Sequence, residues 1–152
     1  MRIDELASAY LDKAGARMEG LYFFRDRGAY SDVVRDAQSV VELSLKAVLR
    51  AVGVEVPKMH DVGRPLESNK DLLPPEIVAN LSEIRRISKR LRKERELSFY
   101  GAEDFIPTEE YDLSDAEEAI RDARFVLESV RQGLTADKAG AAKERPGKQQ
   151  EV

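Results

Sequence analysis

Seven cations lie between Arg85 and Arg95, at positions 85, 86, 89, 90, 92, 93 and 95, against a single acid, Glu94. A ridge this dense can hold phosphates, because affinity for a polyanion sums over the charges it neutralises. Arg85, Lys89, Arg92 and Glu96 step by 4, 3 and 4, so the three cations form one ribbon on a helix. Guanidinium adds a planar fork of donors that grips phosphate bidentately. The candidates for contact with nucleotide or RNA phosphates are therefore Arg85, Lys89, Arg92, Lys93 and Arg95, with Ser98 and Tyr100 just beyond them. From Glu96 to Glu118 the sign reverses, with nine acids and no Lys or Arg. The plainer reading of the same charges is a solvated helix face, partly neutralised by the acidic stretch beside it.

Three smaller constellations accompany the ridge. In the run from Arg92 to Gly101, Ser98 has no local base to activate it, and Tyr100 can donate a hydrogen bond or stack on a base. The same run also suits a structural role, with Leu97 and Phe99 or Tyr100 anchoring the segment. Glu42 and Lys46 are spaced i,i+4 in the favourable order and follow Ala37-Gln38, which reads first as a structural pair. His60 beside Asp61 offers a general base or a metal ligand, or else a loop cap packed on a helix end. With one histidine and no cysteine in the chain, a multi-histidine or thiolate metal site is excluded within one copy, and no metal or cofactor is expected. There is no glycine-rich phosphate loop and no zinc-protease helix motif. Glu109-Glu110 and Glu117-Glu118 are adjacent pairs that point apart on a helix.

The rest of the composition narrows the classes further. A chain of 152 residues is a one-domain length and can bury a core without staples. The lack of cysteine excludes disulfides and fits a reducing cytoplasm. No apolar run approaches the ~20 residues of a membrane helix. The start, Met1-Arg2-Ile3-Asp4-Glu5, lacks the basic-then-apolar pattern of a signal peptide. The net charge of −4 gives no general attraction to nucleic acid, so any such binding must come from the local ridge.

Four helices must position these residues. Ile3, Ala7, Tyr10, Ala14, Met18 and Leu21 recur at helical spacing, as do Val34, Ala37, Val41, Leu45, Val48 and Val52. Ile77, Leu81, Ile84, Ile87 and Leu91 make a third stripe, and Ala116, Ile120, Ala123, Leu127, Val130 and Leu134 a fourth. No stretch alternates with period two for long enough to be a strand. Gly28 precedes the second helix, with Ser31 as its expected N-cap, and Gly53 ends it. A loop spans 53–73, and Pro74-Pro75-Glu76 opens the third helix. Gly101 ends a short segment after that helix, Pro107 and Thr108 lie in a linker, and Ser114-Asp115-Ala116-Glu117 reads as a capping box for the last helix. The expected fold is all-α, an up-and-down four-helix bundle with a short additional helix over 1–134. Residues 135–152 contain no Leu, Ile, Phe or Tyr and carry four basic against three acidic groups, which predicts a mobile tail.

The order of these features resembles the HEPN domain, the higher eukaryotes and prokaryotes nucleotide-binding family. The resemblance rests on Tyr30, Ala37-Gln38, Glu42, Lys46 and Leu49, then Gly53, Pro57 and His60-Asp61, then Arg92, Arg95-Glu96 and Tyr100-Gly101, and covers roughly residues 4–134. It implies a compact helical bundle, a homodimer and, in many members, a small nucleotidyltransferase-fold partner in a toxin–antitoxin pair. Catalytic members are metal-independent RNases whose motif joins an arginine and a polar residue to a histidine a few positions on. Here Arg92 or Arg95 matches the arginine, with Lys93 or Glu96 as the polar neighbour, but no histidine falls near Ser98 to Tyr100. A group titrating near neutral pH is missing from the motif, and serine and tyrosine both stay protonated at pH 7. The sequence thus points to a non-catalytic HEPN-type binder of nucleotide, RNA or a nucleotidyltransferase partner. One alternative is an RNase toxin with a degenerate motif, in which Arg92, Arg95 and Tyr100 hold and polarise the scissile phosphate. Another is a helical protein–protein interaction module.

Overall fold

The structure, a computed structural model, describes residues 4–58, 61–100 and 110–143, with side chains described except over 97–100 and 136–143. His60, Gly101, Pro107 and Thr108 lie outside the described residues, as do the side chains of Ser98 and Tyr100. The described chain forms α1 (Glu5–Asp26), α2 (Tyr30–Ala51), α3 (Gly63–Ser68), a 3-10 turn (Lys70–Leu72), α4 (Pro75–Tyr100) and α5 (Leu113–Lys143). Among the described residues the fold is all-helical, with the four long helices that the stripes require and, in addition, the short α3.

The predicted stripes are the core. Ala7, Ala14, Met18 and Leu21 are buried on α1, while Tyr10 is half-buried and Ile3 lies outside the described residues. All five stripe residues of α4 and all six of α5 are buried. On α2 the buried set is wider than one stripe, adding Val33, Val40, Ala47 and Leu49 to five of the six expected positions, while Val52, at the C-cap, is half-buried. The reason is placement: α2 packs against α1, α4 and α5, so three of its sides leave water.

Helix ends follow local chemistry. The Asp4 side chain caps α1 by accepting from the Ala7 N–H at 2.9 Å. Both α1 and α2 stop at glycines with positive φ, Gly28 (74°) and Gly53 (79°). In each case the next residue's N–H reaches back to a carbonyl in the last turn, Ala29 to Phe24 and Val54 to Leu49, both at 2.9 Å. The tight turn at Gly28 makes α1 and α2 neighbours in a hairpin.

Several boundaries differ from expectation. α2 starts at Tyr30, with Ala29 as an uncapped N-cap, so Ser31 sits buried in the first turn instead of capping it. The capping box of α5 is built two residues earlier, from Asp112 and Asp115. Each carboxylate accepts from the other residue's N–H, at 2.9 and 3.0 Å. The expected loop 53–73 contains α3 and the 3-10 turn, and α4 runs unbroken through the segment expected to stand apart after it. α5 continues to Lys143, past the boundary placed at residue 134. Residues 144–152 lie outside the described residues.

Candidate functional site

The outer face of α4 and the segment 61–70 enclose a cleft of about 630 Å³. Two structural facts make it. Val62 and Leu66 are fully buried, which seats α3 against the bundle. Ile84, Ile87 and Leu91 turn inward, which turns Arg85, Lys89 and Arg92 toward the cleft. The ribbon read from the 4,3 spacing is thus one wall of a concavity. Arg86 lines the same wall, and Arg64 and Lys70 contribute from the α3 side. Asp61 and Glu67 are the lining acids, so cations outnumber carboxylates by six to two.

Both acids are engaged with the wall opposite. Arg92 Nη1 lies 3.0 Å from Asp61 Oδ1, and Arg85 Nη1 lies 3.7 Å from Glu67 Oε2. Asp61 Oδ2 is also 4.0 Å from Arg64. Partial burial pushes the Asp61 carboxylate up, but the Arg92 guanidinium together with the Arg64 N–H and charge outweighs it and holds the group below its ordinary value. Lys89 is exposed and makes no ion pair among the described residues.

The remaining ridge cations face elsewhere. Arg90 turns to α5, where it meets Asp122 at 2.5 Å and Glu118 at 3.2 Å. Burial, only partly countered by Arg90, raises the Asp122 carboxyl above its ordinary value. Arg95 turns to α2, donating to Gln38 Oε1 at 2.9 Å and lying 3.9 Å from Glu42. Gln38 in turn donates to Glu42 at 3.2 Å, and Lys46 pairs with Glu42 at 3.2 Å. The Glu42–Lys46 pair expected from spacing is therefore present, inside a larger polar network. Lys93 is exposed and does not line the cleft. Arg92 and Arg95, three residues apart, engage different elements and do not converge on one phosphate-sized site.

Spacing singles out Arg85, Lys89 and Arg92, and the structure brings these three together. It misses Arg64, Lys70, Asp61 and Glu67, because their approach depends on α3 folding back on α4. Arg86 lies within the ridge, but the pattern of spacing gives it no role. Past the cleft, Tyr111 Oη donates to Glu94 Oε2 at 2.7 Å, and burial followed by that carboxylate raises the phenol well above its ordinary value. No group of three or more His, Cys, Asp or Glu fit to hold a metal occurs among the described residues. None of the described helices is long and apolar enough to cross a membrane.

The fold is similar to that of TT1696 from Thermus thermophilus, with a TM-score of 0.69 and 22% identity over 86% of this chain and 99% of that one. It is also similar to ST0689, an archaeal HEPN homologue, with a TM-score of 0.63 and 22% identity over 85% of this chain and 98% of that one. No curated protein sequence matches the chain. The model of the HEPN domain matches residues 7–133, which include every helix that shapes the cleft, and the chain belongs to the HEPN domain family.

Proposed function

We propose that this HEPN protein is a non-catalytic binder of phosphate-bearing ligands, a nucleotide or single-stranded RNA, held in the cleft between α3 and α4. The observation that carries the reading is the alignment of Arg85, Lys89 and Arg92 along one wall of that cleft. Arg64 and Lys70 stand across from them, so a phosphate chain meets cations from both sides. The missing motif histidine supports binding without cleavage, as does the separation of Arg92 from Arg95. The family resemblance adds a homodimer and a small nucleotidyltransferase-fold partner to the proposal. Phe23, 52% exposed at the end of α1, is an apolar residue that an interface would cover.

The test is fluorescence anisotropy with labelled single-stranded RNA and a fluorescent nucleoside triphosphate across a salt series. Replacing Arg85 and Lys89 with Ala should weaken binding about tenfold or more, at about 1–2 kcal/mol per charge-assisted contact. The slope of log affinity against log salt should fall by roughly 2. Affinity and slope that stay at wild-type values would remove the cleft reading and favour the protein-interaction module. RNA cleavage in EDTA by the wild type would favour the RNase reading.

A further inference from the structure

The arginines of the cleft already hold anions, and those anions belong to the chain itself. Asp61 sits on Arg92 at 3.0 Å, within hydrogen-bond distance. Glu67 sits near Arg85 at 3.7 Å, a looser contact. Neither carboxylate is fully buried: their side chains are 33% and 45% exposed, so each can swing into water. The backbone that carries them cannot follow as easily, because Val62 and Leu66 are locked in the core. Two carboxylates are thereby held beside the arginines at high effective concentration, in the way a tethered ligand is.

We infer that Asp61 and Glu67 are built-in competitors for Arg92 and Arg85, so that a ligand with several linked phosphates must displace both carboxylates to occupy the cleft. The inference rests on the cleft being the ligand site. A lone phosphate that takes Arg92 exchanges one anion for another and gains little. Lys89, between the two arginines, makes no ion pair among the described residues and offers a gain without exchange. From Arg85 to Arg92 the helix rises by about 10 Å, more than one phosphate spans. A linked series of phosphates takes Lys89 and both arginines at once, and the added contact at Lys89 offsets the displacement of the two carboxylates. Asp61 is the stronger competitor, since its contact is the shorter and Arg64 approaches it as well.

Calorimetric titration with inorganic phosphate and with tripolyphosphate, at fixed ionic strength, reads this directly. Wild type should bind tripolyphosphate at least about tenfold more tightly than phosphate, since contacts sum over the charges neutralised. Asp61→Asn should tighten tripolyphosphate binding about fivefold and Glu67→Gln about twofold, in line with the modest energies of partly exposed ion pairs. Asp71→Asn is the control for bulk charge. It removes an exposed acid next to the cleft residue Lys70, and should change affinity by less than about twofold through screened long-range attraction alone. An effect of Asp61→Asn no larger than that of Asp71→Asn would overturn the inference. Weakened binding would do so too, since it would mean that Asp61 positions Arg92 and does not compete for it. Glu67→Gln alters an exposed side chain, so it tests the same idea if Asp61→Asn melts. If wild type binds tripolyphosphate but the variants do not tighten it, the cleft reading survives and the competition fails. If neither wild type nor the variants bind while retaining helical circular dichroism, both fall.

Discussion

Arg85 and Arg92, which face outward from α4, and Arg90 and Arg95, which turn to α5 and α2, are the same residue type within three turns of one helix, yet they meet different surroundings. Arg85 and Arg92 face a cleft, and their acids, Glu67 and Asp61, have side chains 45% and 33% exposed. Arg90 and Arg95 face neighbouring helices, and their acids, Asp122 and Glu42, have side chains only 13% and 10% exposed. The burial of the partner separates the two environments, because an acid that is largely withdrawn from water gives up its arginine at greater cost. Charge density alone does not distinguish a binding face from a structural one.

The largest expected effect breaks the structural side. Arg90→Ala leaves Asp122 buried with its main counter-charge gone, and should destabilise the fold by about 2–3 kcal/mol. That corresponds to a fall of roughly 5–10 °C in Tm for a chain of this size. Arg95→Ala should cost less, about 1–2 kcal/mol, because Lys46 still pairs with Glu42. Neither should change RNA affinity in the protein that remains folded. Replacing Arg85 and Lys89 should do the reverse, with Tm within a degree or two of wild type. Equal loss of melting temperature from both sides would erase the distinction.

A smaller effect sharpens the comparison through pH, because one carboxylate from each side is shifted in the opposite sense. Asp61 is held below the ordinary carboxylate value in the folded protein. Its contribution to stability is present above the unfolded value of about 3.9 and is lost as pH falls through the lower folded value. Asp122 is raised, chiefly by burial. Its protonated form is favoured by folding, so its contribution is present below about pH 3.9 and is lost as pH rises through the raised value. Urea unfolding between pH 3 and 6 should therefore show the stability deficit of Asp61→Asn growing with pH and that of Asp122→Asn shrinking. Parallel deficits for the two variants would mean that their surroundings do not differ as described.

Much of this architecture was legible because burial on a helix imposes a period. Every described stripe residue of α4 and α5 is buried, and the glycines that end α1 and α2 adopt the positive φ that few other residues tolerate. The ribbon Arg85, Lys89 and Arg92 was legible for the same reason. What periodicity could not show is which partner each face meets. Arg92 and Arg95 are about 60° apart around the helix, and spacing alone groups them together. Their division depends on Asp61 and Gln38, which arrive from distant parts of the chain. The α5 cap shifted to Asp112 and Asp115 because either that pair or Ser114 and Glu117 satisfies the local pattern, and only the path of the chain into the helix chooses.

The smallest expected effect concerns a region that belongs to neither side. Among the described side chains of α5 the last buried one is Leu134, 1% exposed, just after Gly133, where an added Cβ would lie 2.6 Å from Ile77 Cγ1. That close approach fastens α5 to α4 at its last core turn. Thr135 is exposed, and the sequence from there to Val152 offers no Leu, Ile, Phe or Tyr to bury, although the helical backbone itself continues to Lys143. A helix without an apolar face gains little from tertiary packing, so its loss should cost the bundle little. Deleting residues 136–152 should shift Tm by no more than about 1–2 °C, since the core residues that set the unfolding enthalpy all remain. RNA affinity should hold nearly constant as well, because the deleted segment carries a net charge of only +1 and none of the cleft residues. A Tm loss well beyond 2 °C would show that the segment docks on the bundle. Lost affinity at unchanged Tm would place part of the ligand site in the tail and require the cleft to be redrawn.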